Sequence, residues 1–261
     1  MSENPLADSM LKVTFSTWIL FFSRLGASIF LAAAFSCLLG LKGCSGSIDA
    51  VPTNSPTAVA LDFEAQLAAV RAGTSDQISL EKQQITDSDL QRLHTDDPLR
   101  VFSCDAGVIT DAGARKLSGL KSLEEIRLRF SPIGDSGIID LLELPNLRVL
   151  NLPQSELTDQ SLSAIAEANR IELLRFHSPH VTDAGLRVLL QSDRLRFLHL
   201  IDVGASDALI DDLIQSKQLE SFYVDRSAIT DSGFTRLFNA RPDLHIHIDN
   251  AHHDLDQRAE H

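Results

Sequence analysis

Cysteine, tryptophan, tyrosine and positive charge are all scarce in this chain of 261 residues, which has three Cys, one Trp, one Tyr and 23 Lys+Arg against 36 Asp+Glu. Three cysteines cannot build a disulfide scaffold, and the spacing of Cys37, Cys44 and Cys104 matches no zinc motif. A formal charge of −13 excludes a general nucleic-acid binder, which displaces counterions with a positive surface. The sequence also lacks a phosphate-cradling glycine loop, a nucleophile elbow and a zinc-protease helix. The expectation is a protein that is not an enzyme and needs no cofactor.

What charge there is lies unevenly. Residues 1–44 hold 3 of the 23 Lys+Arg and 2 of the 36 Asp+Glu, so the rest of the chain sets 20 basic against 34 acidic groups and carries about −14. Val13 to Leu41 is almost wholly apolar, broken by Arg24, and Leu25–Leu41 is a run of 17 uncharged residues. That is the short end of a membrane-spanning helix, with Trp18 placed as an interfacial aromatic. Lys12 and Arg24 precede the run and acidic residues dominate beyond it, which orients the amino terminus to the cytoplasm. Three fates fit residues 13–44: an uncleaved signal anchor behind a cytoplasmic tail (1–12), a cleaved secretory signal, or a lipoprotein signal. For the third, Leu41-Lys42-Gly43-Cys44 resembles a lipobox with Cys44 as the acylated residue, although Lys42 stands where a small residue is usual. All three place the remainder outside the cytoplasm, anchored at the periplasmic or cell-surface side, or secreted if the leader is removed.

Residues 45–57 are a linker rich in Ser, Gly, Pro, Asn and Thr. Residues 58–74 read as a short amphipathic helix, with Thr57 available as its cap and Gly73 ending it. Its expected task is to cover the first open edge of the domain formed by residues 75–250.

From residue 75 to 250 the chain repeats itself. ITDSDLQRL, ITDAGARKL, IGDSGIIDL, LTDQSLSAI, VTDAGLRVL, ASDALIDDL and ITDSGFTRL place Asp87, Asp111, Asp135, Asp159, Asp183, Asp207 and Asp231 each 24 residues after the last. Seven positions before each aspartate stand Leu80, Cys104, Leu128, Leu152, Phe176, Leu200 and Val224, and two earlier Ile78, Phe102, Ile126, Leu150, Leu174, Leu198 and Phe222. Apolar residues at i and i+2 suit a short strand facing a core. Thr-Asp before an apolar i, i+3, i+4 run, as in Asp183 with Leu186, Leu189 and Leu190, suits a capped helix. No unit can bury its apolar side alone, so stacking is required.

The L-x-x-L-x-L pattern in a 24-residue unit resembles the leucine-rich repeat family, and the tail I-T-D-x-G-L-x-x-L is closest to its cysteine-containing and GALA-like subtypes. The resemblance implies an α/β solenoid: a short parallel strand ladder on a concave side, helices on a convex side, and protein binding through the concave face. Where the subtype has Asn or Cys after the strand, this chain has Gln83, Gly107, Ser131, Ser155, Pro179, Val203 and Ser227, so a continuous side-chain ladder is not expected there. Val203–Asp207 is the most degenerate stretch and the expected irregularity. Eight strand positions, the last at His245–Ile248, span on the order of 35 Å, and residues 251–261 are expected to fray.

Strand side chains alternate, so Ser103, Arg127, Asn151, Arg175, His199, Tyr223 and His247 point to the concave side. Arg129 and His177 lie two residues further on in their units, and Leu173 and Phe197 two earlier. Arg127, Arg129, Leu173, Arg175, His177, Phe197, His199 and Tyr223 are thus the candidate surface for a protein or peptide partner, aromatics and arginines being the usual interface anchors. Arg100, Glu124, Arg148, Glu172, Arg196 and Glu220 alternate in sign along the ladder, which suits register more than function. His199, Tyr223 and His247, with Asp225, Asp249 and His245 nearby, have the chemistry of a metal site, but histidines on a ladder are commoner than such sites and no metal is expected. Cys104 occupies a core column and should be an inert thiol. The functional expectation is a membrane-tethered, extracytoplasmic interaction module without catalysis. The alternatives are an adaptor or effector of the GALA-like type and an envelope spacer; relatives of the former often carry an F-box, for which residues 1–74 offer no helical module.

Overall fold

The computed structural model describes residues 62–249, with the backbone of 251–252. After helix α1 (Phe63–Arg71), strands and helices alternate: β1 (Gln77–Leu80), α2 (Asp87–Leu90), β2 (Val101–Cys104), α3 (Asp111–Leu117), β3 (Glu125–Leu128) and α4 (Asp135–Leu141). Then come β4 (Val149–Leu152), α5 (Asp159–Ala168), β5 (Leu173–His177), α6 (Asp183–Leu189), β6 (Phe197–Ile201), α7 (Ile210–Gln215), β7 (Ser221–Asp225), α8 (Asp231–Ala240), β8 (His245–Ile248) and β9 (Ala251–His252). One sheet takes the strands in sequence order. β1 to β8 pair in parallel with partners 24 residues apart, such as Val101↔Glu125 and Leu173↔Phe197. The period read from the aspartates is therefore the register of the sheet.

The core columns account for that register. Leu99, Leu123 and Leu147, with Ile78, Phe102, Ile126, Leu150 and Leu174 one column on, have no exposed surface, and they form one cluster with helix residues such as Leu117, Leu141 and Leu186. Cys104 sits in this cluster as a buried free thiol whose pKa is raised by burial. The sign-alternating column also pairs: Glu124 takes Arg100 at 2.7 Å and Arg148 at 2.6 Å, Arg148 reaches Glu172 at 3.6 Å, and Arg196 bonds Glu220.

Within the Thr-Asp pairs expected to cap the helices, the two residues divide the work. Each aspartate is the first helical residue, while the preceding Thr caps: Thr110, Thr158 and Thr182 accept from the backbone N–H two residues on. The aspartate carboxylate reaches into the next unit instead. Asp87 accepts from Thr110 N–H (2.9 Å) and Oγ1 (2.6 Å), and Asp135 does the same with Thr158 and Asp159 with Thr182. Unit three has Gly134 in place of Thr, and Ser136 supplies the missing hydroxyl to Asp111. The contact explains the glycine two residues after the aspartate: a Cβ on Gly113, Gly137, Gly185 or Gly233 would lie 2.2–2.5 Å from the carboxylate of the preceding unit. Ser161, standing at that position, turns its hydroxyl onto Asp135. Leu209 has no such solution, and its helix begins as a 3-10 turn (Asp207–Leu209), the irregularity expected in this region. The post-strand column forms only a partial ladder: Ser131 Oγ accepts from Ile109 N–H, and Ser155 Oγ donates to the His177 carbonyl.

Both ends of the ladder are covered. α1 is capped by Asp62 rather than Thr57, through a bond from Ala65 N–H, and Gln83 accepts from Phe63 N–H. Phe63, Leu67 and Val70 close the core, while the Gln66 amide bonds both the N–H and the carbonyl of Ser79, acting as a surrogate strand on β1. At the other end the chain does not fray immediately after β8. It turns back, and β9 pairs antiparallel through Ile248↔Ala251 and His247↔His252, making nine strands rather than eight. Arg241, fully buried, donates to the carbonyls of Leu213, Ser216 and Leu219 and pairs with Asp243 at 2.9 Å. Among the described residues no helix is long and apolar enough to cross a membrane; the apolar run at 13–44, Cys44 and the 45–57 linker lie outside them.

Candidate functional site

The helices occupy one face of the sheet, and the other carries three columns of side chains. The parallel register brings Ser103, Arg127, Asn151, Arg175, His199, Tyr223 and His247 side by side in the middle column. Two distinct neighbourhoods result.

Around β3 to β5 the face is basic. Arg127 Nε stands 3.7 Å from the Asp105 carboxylate. Arg129 follows β3 directly, 5.7 Å from the ring centre of the exposed Phe130, whose backbone is left-handed (φ 56°). Neither Arg129 nor Arg175 forms an ion pair among the described residues, and the Nε atoms of both are buried with no protein group in hydrogen-bonding reach. Burial brings the Arg175 pKa down to about 10, repulsion from Arg127 and Arg129 adds to the fall, and Asp225 and Asp105 oppose it. Asn151 lies between Arg127 and Arg175 in register, its Oδ1 likewise buried without a partner. Burial pushes the Glu125 carboxyl upward, against the pull of Arg127 and Arg148.

Around β6 to β8 the face is aromatic and internally bonded. His199 Nε2 lies 2.9 Å from Asp225, and burial lowers the His199 pKa while Asp225 works against that shift. Tyr223 stacks on His247 (centroids 4.1 Å apart, planes 12° apart), lies 5.4 Å from His199 and meets His245 edge-on at 5.9 Å. His245 and His247 approach each other through Nε2 at 2.7 Å. With His199 turned to Asp225 and the other two histidines to each other, this group does not converge on a point. Among the described residues the group of three or more side chains close enough to share an ion is His94, Asp96 and Asp97, in the loop before β2, and there Asp97 is held by Arg71 at 2.8 Å.

The structure brings the expected partner-binding residues onto one face but at different depths. Leu173 (4% exposed) and His199 (5%) are buried floor residues, not surface. Arg127, Arg175, Phe197 and Tyr223 are half-buried, and His177 lies at the rim, 3.6 Å from Asp202. A cleft at the loop ends of β4 to β7 adjoins His177 and is lined also by Pro153, Gln154, Glu156, His180 and Arg226. Asn151 and Asp105 carried no role in the sequence reading, although the 24-residue columns already put them beside the arginines.

A leucine-rich repeat family model matches residues 119–142, one unit of the array. No curated protein is significantly similar in sequence. Among solved structures, an internalin of Listeria monocytogenes str. 4b F2365 superposes with a TM-score of 0.54 at 20% identity, over 74% of this chain and 52% of the other, so the chain spans about half of that neighbour's length. At this identity the likeness speaks for the fold. With the repeat of 24 residues and the strand ladder, the likeness shows a leucine-rich-repeat-type solenoid fold, and one unit of it matches the family model itself.

Proposed function

We propose that this chain is a protein-interaction module that engages a protein or peptide partner through its helix-free face, without catalysing a reaction. One observation carries the reading: a chain of charge −13 gathers Arg127, Arg129 and Arg175 at the centre of that face and leaves two of them without an ion pair among the described residues. Partly desolvated arginines on the same face as Phe197 and Tyr223 are the composition of interface anchors. We further propose that residues 13–44 tether the module, or direct its export, with residues 45–261 on the extracytoplasmic side; the apolar run and the charge asymmetry around it support this. The I-T-D-x-G tails support kinship with the cysteine-containing and GALA-like subtypes.

A photoreactive phenylalanine analogue at Phe197, and a second at Val188 on helix α6, test the face. Crosslinking in the native host should give a saturable adduct from position 197 and none from 188. The same adduct from both positions would overturn the assignment. Protease accessibility of residues 45–261 in cells whose cytoplasmic membrane is intact tests the placement, and protection that is lost only when that membrane is breached would exclude it.

A further inference from the structure

The helix-free face holds more than a diffuse basic patch. Arg129 directly follows β3 and Arg175 lies on β5, with Asn151 of β4 in register between Arg127 and Arg175. Arg127 stands 3.7 Å from Asp105 and is half of an ion pair at the edge of the group. Arg129 and Arg175 have no such ion pair among the described residues, and each keeps a buried Nε donor that no protein acceptor satisfies. A guanidinium presents parallel N–H donors in a rigid fork that matches a carboxylate.

We infer that the guanidinium groups of Arg129 and Arg175 form a seat for a single carboxylate, the side chain of a glutamate or aspartate on a partner polypeptide. The inference rests on the proposed use of this face and names the chemistry at its centre. The surroundings select a monoanion. Asp105 and Asp225 already flank Arg175 electrostatically, and Glu125 lies one column away, so a dianionic phosphate would meet carboxylates on several sides. Burial strips solvent from the Arg175 charge, and Arg127 and Arg129 repel it. A positioned carboxylate would relieve the same repulsion on binding.

Full-length protein labelled for detection of arginine Nε–Hε resonances tests this directly. Titration with acetyl-glutamate-amide should shift the Arg175 and Arg129 signals saturably at millimolar concentration, while acetyl-glutamine-amide leaves them in place. Arg175→Met should weaken the glutamate probe at least tenfold without lowering Tm. Arg175→Lys, which keeps the charge and loses the fork, should also lose most of the affinity. Inorganic phosphate binding tenfold more tightly than the glutamate probe would overturn the carboxylate assignment. Resonances that ignore both probes, or an Arg175→Lys variant with full affinity, would overturn the seat itself. Crosslinking at Phe197 is independent of these readouts, so the seat can fail while the face stands.

Discussion

Arg241 and Arg175 carry the same charge, and their surroundings could hardly differ more. Arg241, near the last strands, has no exposed surface and spends its donors on three backbone carbonyls and Asp243. Arg175, on the helix-free face, has a buried Nε without an acceptor and two other arginines repelling it. A buried charge that is fully bonded belongs to the architecture, because removal of it strands the groups it served. One that is incompletely bonded weakens the fold unless something outside the chain completes it. The comparison sets an arginine bonded into the architecture against one whose Nε the chain leaves open, as the proposed partner site requires.

Substitution sharpens that contrast, and the largest effect is expected at the structural site. Arg241→Met should cost about 3–5 kcal/mol, since the carbonyls of Leu213, Ser216 and Leu219 would lose their donor in the interior. Urea denaturation would measure it, and a loss below about 1 kcal/mol would mean that these carbonyls find other donors. The same exchange at Arg175 is expected to leave Tm level or raise it, with its cost appearing in binding.

The next effect lies in the aspartate row. Gly185→Ala places a Cβ against Asp159 and should pull that carboxylate from Thr182, costing about 1–3 kcal/mol despite the better helix propensity of alanine. Gly185→Ser should cost less, because a hydroxyl there can bond the aspartate as Ser161 bonds Asp135. Thermal melts in which alanine and serine lose equal stability would show that the hydroxyl contributes nothing.

Smallest is the charged column. Arg100 and Arg148 hold the Glu124 carboxyl at about 2 against an ordinary 4.5, and burial opposes them. Its contribution is therefore complete above pH 4.5 and fades as pH falls from there toward 2. Because the two arginines are half-exposed, Glu124→Gln should cost only about 1 kcal/mol at neutral pH. The gap between variant and parent should close by about pH 2; a gap independent of pH would assign the loss to packing.

The period was legible because each unit must present the same apolar columns to its neighbours, and any slip would expose a Leu or Ile. The work of the aspartates was not. A carboxylate at the start of a helix reads locally as a cap, whereas its partner lies 23 residues away and becomes adjacent only when units stack. Arg241 was invisible for the opposite reason: it stands outside the repeating columns and answers to the way the array ends. On the open face, alternation told which side Leu173 and His199 occupy but not how deep they lie. Depth depends on the length of the side chains in the neighbouring columns, on strands about 4.8 Å away.

The closed ends have a consequence for growth. A parallel ladder with a bare edge strand invites a second chain to add to it. Here the Gln66 amide occupies backbone groups of β1 and the β9 hairpin occupies those of β8, so lengthening by end-to-end addition meets a stopper at each terminus. Lengthening from within meets none. An inserted block of 24 residues carrying its own Thr, Asp and small residue would receive an aspartate from the unit before it and offer one to the unit after it. The array is thus constructed like a bookcase with fixed ends and interchangeable shelves, and a duplicated middle unit should yield a longer single molecule instead of a filament.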